Sequence, residues 1–340
     1  MQKENRPVVA ITMGDAAGVG PELVAKLFDD PAADRQARRL IIGDARVMQD
    51  AVTRFSTTAP RIRAIDSVSQ AGFEPGVIDV LDMANLAPSD FEMGEVNASC
   101  GKAFVEYIRK AAQLALSGEI DAITSAPTNK EAMHAAGEFY PGQTEVFAEE
   151  TGSDDFFTIL VGGPIRAYLV STHVSLRQAI DMVTAERMER ILSRAISSLQ
   201  DLWKISDPTI AVAGLNPHAG DGGLFGREEI EFITPVIERF RAQGARVSGP
   251  YPSDSMFLAA DRGDYDGVVA MYHDQGVIPL KRHGYVTTIA GMPILRTTAG
   301  HGTAYNIAGQ GIASPKVMAS AVSLAAELAA RRAASRNADA

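Results

Sequence analysis

The chain has 340 residues, of which 46% are hydrophobic and 22% charged, a globular composition with room for one large domain or two moderate ones. Its formal net charge is −10 and it has no block of Lys and Arg, so no polyanion-binding surface is expected and nucleic acid is excluded as a partner. Cys100 is the single cysteine, so one chain has no internal disulfide or thiolate metal site, and any metal must be bound by His, Asp or Glu.

The predicted elements alternate along the chain. Short runs rich in Val, Ile and Leu are separated by helix-patterned stretches, which predicts an α/β fold with a largely parallel, helix-covered sheet. The predicted strands are 8–13, 39–44, 77–83, 121–126, 156–162, 166–172, 209–215 and 266–272. The clearest predicted helices are 175–204, 227–243 and 315–334. The N-terminal segment lacks the apolar stretch of a signal peptide and no segment is long and apolar enough to span a membrane, so a cytoplasmic protein with no membrane partner is expected.

Three of the six histidines occupy equivalent places in this pattern. His173, His218 and His273 each come just after a predicted strand. Ligand crevices of open α/β sheets form at the carboxyl ends of the strands, so three imidazoles delivered there from separate strands are expected to bind one divalent ion. Taken singly, each is better explained as a hydrogen-bonded loop histidine, and it is their shared position that favours a metal site.

Several segments are candidate sites for anions or nucleotides. Residues 14–22 (GDAAGVGPE) connect a strand to a helix and present a weak anion-binding signal, because they match no phosphate-loop pattern. Lys281 and Arg296 are candidate clamps for a phosphate or carboxylate. Residues 296–315 are rich in small side chains around His301, which would let the backbone approach a flat nucleotide.

These motifs resemble the 4-hydroxythreonine-4-phosphate dehydrogenase family of pyridoxal phosphate biosynthesis, in the family's order and over nearly the whole chain. The motifs that carry the resemblance are ITMGDAAGVGPE, TSAPTNK, GQTE, STHVSL, GLNPHAGDGGLFGREE, MYHDQGVIPLK and RTTAGHGTAYNIAGQGIA. The last of these also looks like the adenosine-binding loop of isocitrate and isopropylmalate dehydrogenases. The resemblance implies a two-lobed α/β/α subunit of that type, which we place at residues 1–130 plus 290–340 for the lobe with the adenosine loop and 131–289 for the lobe with the metal ligands and dimer interface.

The resemblance also implies roles for individual residues and an obligate homodimer, since one histidine ligand of each site comes from the neighbouring subunit. Candidate residues are His173, His218 and His273 for the metal; Gln143, Thr144, Lys281, Thr287 and Arg296 for the substrate; His301, Gly302, Thr303 and Asn306 for the cofactor; and Lys130 and Asp254 for catalysis.

The activity implied is metal-dependent oxidation of a small anionic substrate by NAD or NADP. A divalent ion acts as a Lewis acid on the substrate hydroxyl, hydride passes to the nicotinamide, and the resulting keto acid loses carbon dioxide. Zinc is the favoured metal, while cobalt, nickel, manganese and magnesium stay open.

Four positions depart from the family pattern and leave the substrate open. Gln143 replaces the His of a GHTE motif, Gly300 an Asp, Thr287 an Asn, and Asn306 an Asp of the adenosine loop. A phosphorylated hydroxy acid such as 4-hydroxythreonine 4-phosphate, 4-phosphothreonate or 4-phosphoerythronate is favoured, because Lys281 and Arg296 form the phosphate-binding pattern. The alternative is the cis-dihydrodiol of an aromatic carboxylate such as terephthalate, whose dehydrogenases share the glycine but lack the arginine.

Two alternatives belong to other functional classes. A non-catalytic metal- or nucleotide-binding protein would have no reason to keep three strand-end histidines. A metal-dependent hydrolase that activates water would not need the nucleotide loop. Turnover and nucleotide binding, respectively, separate these alternatives from a dehydrogenase.

Overall fold

The computed structural model describes residues 6–30 and 35–338. The chain forms two compact units: the first runs to Phe157 and resumes at Val286, and the second comprises Thr158–Tyr285. Residues 1–5, 31–34, 339 and 340 belong to the predicted first lobe but lie outside the described residues. None of the helices within the described ranges is long and apolar enough to cross a membrane.

Both units are built on mainly parallel sheets, which confirms the predicted α/β class. The strands are β1 (Val8–Thr12), β2 (Arg38–Gly43), β3 (Arg61–Ile65), β4 (Val77–Asp82), β5 (Ala122–Ser125), β6 (Phe157–Gly162), β7 (Ile165–Leu169), β8 (Ile210–Ala213), β9 (Val247–Tyr251), β10 (Gly267–Ala270), β11 (Val286–Ala290) and β12 (Arg296–Ala299).

The strand order in the first unit is β3-β4-β2-β1-β5-β12-β11, and its neighbours are parallel except for β11 with β12. In the second unit the order is β6-β7-β10-β8-β9, and only β6 with β7 is antiparallel. Val9, Ala10 and Ile11 of β1 are successive and fully buried, as expected for a parallel strand covered on both faces.

Helices connect and cover these strands. They are α1 (Gly20–Leu27), α2 (Ala45–Phe55), α3 (Ala98–Ser117), α4 (Lys130–Ala135), α5 (Gln143–Thr151), α6 (Leu176–Asp181), α7 (Ala185–Trp203), α8 (Thr234–Ala242), α9 (Ser253–Asp261), α10 (His273–Lys281) and α11 (Lys316–Ala338). The helix predicted over 175–204 is interrupted, because Thr184 is extended and its hydroxyl accepts from the Arg187 N–H to begin α7. The one predicted over 227–243 begins with a π turn at Glu229–Ile233 before α8.

The first unit extends further than the predicted boundary after residue 130, to Phe157. The reason is that α4 and α5 pack against α3. Gly101, in the first turn of α3, permits a close approach of α4, since a β-carbon there would clash with the carbonyl group of Ala132. The segment that carries Lys130, Gln143 and Thr144 therefore belongs to the same unit as β12.

Candidate active site

The three predicted metal ligands follow neighbouring strands of the second unit. β10 lies between β7 and β8 and is parallel to both, so the carboxyl ends of these strands share one edge. His173 follows β7, His273 follows β10 as the first residue of α10, and His218 follows β8. The topology thus brings the three loops to a common edge of the sheet.

His173 and His273 lie side by side at this edge. Their ring centroids are 5.6 Å apart and the ring planes are inclined by 44°. Two imidazoles bound to one tetrahedral zinc ion have centroids roughly 5 Å apart, so this pair fits a shared divalent ion. Both rings line a cavity of about 590 Å³. The spacing follows from the packing of α10 on β7, where a β-carbon at Gly276 would displace the side chain of Leu169.

His218 does not join this pair within one chain. Residues 218–223 all have positive φ, with +53° at His218, and the His218 ring packs edge-on against Phe225 with centroids 6.1 Å apart. In the parts of the chain that the structure describes, no group of three or more His, Cys, Asp or Glu side chains is arranged to hold a metal. The expected convergence of three histidines is therefore not met within a single chain, because this left-handed loop places His218 beside Phe225.

The left-handed loop is anchored by Glu229. One oxygen of this buried carboxylate accepts from the backbone N–H of Asn216 at 2.7 Å, and the other from the Asn216 side-chain amide at 2.9 Å. Gly220 lies against the same carboxylate, so a larger residue there would displace it. Glu229 therefore fixes the start of the segment that carries His218.

Asp274 is a site residue that the sequence reasoning missed, although it directly follows His273 in MYHDQG. Nδ1 of His273 lies 2.8 Å from Oδ1 of Asp274. When Nδ1 donates to this carboxylate, Nε2 is left with a lone pair that can bind a metal. Asp274 is thus placed to set the tautomer and orientation of His273.

We expect Asp274→Asn to weaken metal binding about tenfold. Loss of a residue that hydrogen-bonds a metal ligand typically costs about 10- to 100-fold in affinity, and the lower end applies here because Asp274 is largely exposed. The measurement is the metal dissociation constant, obtained by titrating the protein with Zn²⁺ or Co²⁺ in a calorimeter. Asp261→Asn is the matched control, since Oδ1 of Asp261 pairs at 2.7 Å with Nε2 of His283, which is not one of the candidate metal ligands. Equal metal affinity in the two variants would remove Asp274 from the site.

Asp254 and Lys281 also lie in the second unit. Asp254 is exposed near the start of α9 and lines a cavity of about 350 Å³ together with Tyr272 and Asp274, which also line the histidine cavity. Lys281 is the last residue of α10, is exposed, and has its Nζ 5.0 Å from the centroid of the Tyr285 ring. No ion pair is found for Lys281 among the described residues, so its ammonium group is available to an anion.

Arg296, the first residue of β12, is buried in the first unit with 2% of its surface exposed. Its Nε donates to Oγ of Ser125 and one Nη to Oγ1 of Thr144, both at 3.0 Å. The guanidinium carbon lies 4.9 Å from the centroid of the Phe147 ring. Ser125 ends β5 while Thr144 and Phe147 belong to α5, so three separate elements position this one cation.

The charge of Arg296 has no carboxylate partner within residues 6–30 and 35–338. Its Nη2 atom is buried and makes no hydrogen bond. Burial lowers the pKa of Arg296 to about 9, and the negative charge of Glu145 opposes that shift, so the group stays protonated at pH 7. A buried cation with a free donor is stabilised by an anion. α5 begins beside it, and its N-cap residue is Gly142, which has no side chain to cap the first N–H groups; such a helix start favours negative charge.

Other substrate candidates lie on the same elements. Gln143 is the first residue of α5, and its buried Oε1 has no hydrogen-bond partner in the described part of the chain. Thr287 of β11 is paired with Thr298, two residues after Arg296, so it lies on the same face of the sheet as Arg296. Lys130 is the first residue of α4 and is exposed; the cap that begins this helix is formed by Asn129.

The predicted nucleotide segment spans residues 296–315, and its cofactor candidates lie at 301–306, in the nucleotide loop after β12. His301, Gly302 and Asn306 are exposed and Thr303 is buried. Nδ1 of His301 lies 3.2 Å from the carbonyl oxygen of Gly302, and a β-carbon at Gly302 would meet no atom within 4 Å. The loop therefore presents an open backbone surface flanked by an imidazole and an amide, which suits a flat nucleotide.

Comparison with known proteins identifies the family. Residues 35–325 match the sequence profile described as "Pyridoxal phosphate biosynthetic protein PdxA". The chain belongs to this family. It is 43% identical over 324 residues to the D-threonate 4-phosphate dehydrogenase of Salmonella typhimurium, covering 94% of this chain and 98% of that enzyme. The predicted family and enzyme class, an oxidoreductase acting on a CH–OH group, are confirmed.

Solved structures of similar proteins agree with the fold. A 4-hydroxythreonine-4-phosphate dehydrogenase from Klebsiella pneumoniae is 41% identical, with a TM-score of 0.85 and coverage of 95% of this chain and 98% of that one. A terephthalate 1,2-cis-dihydrodiol dehydrogenase from Burkholderia xenovorans is 32% identical, with a TM-score of 0.61 and coverage of 94% and 98%. The dehydrogenase class implies a nicotinamide cofactor.

Proposed function

We propose that the protein is a metal-dependent, NAD- or NADP-linked dehydrogenase that oxidises a phosphorylated hydroxy acid of the 4-hydroxythreonine 4-phosphate type, with decarboxylation of the keto acid. The observation that carries the proposal is the buried guanidinium of Arg296, which has an unpaired Nη2 and no carboxylate partner among the described residues. The dehydrogenases named for phosphorylated threonine derivatives support it, with 40–43% identity over nearly the full chain.

Arg296 is best explained as half of an anion site. Thr144 Oγ1 and the N–H groups at the start of α5 supply neutral donors beside the cation, and a phosphate or carboxylate oxygen would satisfy Nη2. Binding the anionic end of the substrate in this way orients its distant hydroxyl group, so that binding energy remote from the reaction lowers the barrier. Lys281 is the second candidate cation, and Gln143 and Thr287 are candidate polar contacts.

His173 and His273 are the ligands that we assign to the metal from one chain, with His218 as the third. When bound, a divalent ion supplies a Lewis acid for the substrate's hydroxyl and carbonyl oxygens. Asp274 holds His273 in the ligating tautomer. Lys130 and Asp254 are the candidates for proton transfer, and His301, Gly302, Thr303 and Asn306 for contacts to the adenosine of the cofactor.

A homodimer would complete the metal site, because His218 stands apart from the histidine pair in its own chain. Exposed large apolar side chains concentrate in the second unit, as required for a subunit interface. Nine of the thirteen such residues among those described belong to it: Val174, Leu176, Ile180, Leu224, Phe225, Ile230, Phe232, Leu258 and Ile278. Val174 and Phe225 lie close in sequence to His173 and His218, which favours an interface at the metal site.

The proposal is tested by NAD(P)H formation with metal-reconstituted protein. The substrates are 4-hydroxythreonine 4-phosphate, D-threonate 4-phosphate and terephthalate cis-dihydrodiol, each with NAD and with NADP. We expect turnover with a phosphorylated substrate and carbon dioxide release in step with reduced cofactor. Turnover of the dihydrodiol alone would overturn the phosphate assignment, and turnover without carbon dioxide would overturn decarboxylation.

A further inference from the structure

The GDAAGVGPE segment (residues 14–22) supports the nucleotide loop. It follows β1 and leads into α1, where the sequence alone indicates a weak anion site. In the structure, the Val19 N–H donates to the carbonyl oxygen of Thr303 at 3.0 Å. Gly18 allows this contact, since a β-carbon there would lie 2.9 Å from the β-carbon of Thr303. The turn is therefore occupied by protein backbone from the nucleotide loop.

Asp15 makes the second connection. It is fully buried, and its Oδ2 accepts from the Tyr305 hydroxyl at 2.6 Å while Oδ1 accepts from the Ala17 N–H at 3.0 Å. Burial raises the pKa of Asp15, and the hydrogen bonds from Tyr305 and the backbone oppose that rise. Both carboxyl oxygens thus accept hydrogen bonds from within the protein, which accounts for the burial of Asp15 without a ligand.

Residues of α1 make the third connection, to the chain near Ala313. Oε1 of the buried Glu22 accepts from the Ala313 N–H at 2.8 Å and from Nζ of Lys26 at 2.7 Å. Lys26 also donates to the carbonyl oxygens of Gly311 and Ala313, at 2.8 and 2.9 Å. The chain from Thr303 to Ala313 is thereby held at both ends by the segment that begins with Gly14.

The nucleotide loop needs this support because of its backbone. Ala304 has φ +46° and ψ +52°, a left-handed conformation that residues with a β-carbon adopt only when the surroundings impose it. Tyr305 follows directly, and Asn306 comes next. Ala304 packs against the apolar cluster of Val19, Leu23 and Ala313, and the Asp15–Tyr305 hydrogen bond adds a polar contact to the same turn.

We propose that Asp15 and Tyr305 are positioning residues for the nicotinamide cofactor: their buried hydrogen bond holds the nucleotide loop in the conformation that receives the adenosine. The inference rests on the proposed function. It gives the GDAAGVGPE segment a role in cofactor affinity without direct contact to the phosphates.

The test is calorimetric binding of NAD and NADP to Tyr305→Phe, which removes one hydroxyl and keeps the ring. We expect the Kd and KM for the cofactor to rise about five- to tenfold, the effect of one buried hydrogen bond, with kcat at saturating cofactor and the substrate KM unchanged. Tyr107→Phe is the matched control. The buried hydroxyl group of Tyr107 donates to Oδ1 of Asn85 at 2.9 Å and does not contact the nucleotide loop. Its cofactor affinity should equal that of the wild type.

Asp15→Asn and Asp15→Ala extend the test. The amide still pairs with the Tyr305 hydroxyl, so Asp15→Asn should bind cofactor within about twofold of the wild type, while Asp15→Ala should lose at least as much affinity as Tyr305→Phe. If Asp15→Ala does not fold, Tyr305→Phe decides. Wild-type affinity in Tyr305→Phe would overturn the inference alone, whereas a wild-type protein that binds neither cofactor would overturn the proposed function and the inference with it.

Discussion

His273→Ala is expected to abolish turnover and to lower metal affinity by more than about 100-fold, since a direct ligand contributes more than its outer-shell partner. The fold should persist, because the His273 side chain is partly exposed and lines a cavity instead of filling the core. The measurements are the metal content of the purified protein, a Zn²⁺ titration, and NAD(P)H formation alongside thermal unfolding.

His283→Ala is the control for His273→Ala. His283 lies in the same unit two residues after the end of α10, and its Nε2 pairs with Asp261 at 2.7 Å. It should keep metal and activity. Full activity of His273→Ala without bound metal would disprove the metal assignment.

His273→Ala combined with His218→Ala tests whether two chains build one site. If His218 acts in the site of the partner subunit while His273 acts in its own, a mixed dimer of His218→Ala and His273→Ala has one intact site. After dissociation and random reassociation, mixing two inactive variants should then restore about a quarter of wild-type activity. No recovery, with mixed dimers verified by mass spectrometry, would mean that all ligands come from one chain.

The histidine positions could be predicted from sequence because each follows a short apolar strand, and parallel strands deliver their carboxyl ends to one edge. The directions in which the histidine side chains point could not be predicted from sequence. His218 turns beside Phe225 because residues 218–223 are left-handed, a conformation that three non-glycine residues adopt only in the folded loop. The sequence therefore indicates that the three histidines lie at one edge of the sheet, but not which two of them meet within one chain.

The surroundings of Arg296 were beyond sequence reasoning for a different reason. Its partners Ser125 and Thr144 are separated from it by 171 and 152 residues, so only the tertiary structure brings them together. The long α3 was not among the clearest predicted helices, and the role of its Gly101 is evident only from the contact with Ala132. The resemblance to the family made Thr144 and Arg296 candidate site residues. Only the structure shows that Arg296 has no carboxylate partner among the described residues, which is the reason for proposing an anion there.

Arg296→Met separates a ligand-binding arginine from a structural one. Methionine is apolar and of similar length, so it can occupy the space beside Phe147. Each hydrogen bond to a charged group is worth about 1.5–3 kcal/mol, so loss of the two that the Nη2 amino group can donate to a phosphate should raise the substrate KM by roughly 100-fold or more. The KM for the nicotinamide cofactor should change little.

The stability of Arg296→Met is the more discriminating measurement. In the free protein this charge is buried without a carboxylate, so replacing it with an apolar group should leave Tm unchanged or raise it. Arg63→Met is the control, because Arg63 pairs with the buried Asp79 and its loss leaves that carboxylate uncompensated, which should lower Tm without affecting KM. A lower Tm with unchanged KM in Arg296→Met would make the residue structural. A higher KM without loss of stability is the result expected of a cation held in place for an anionic substrate.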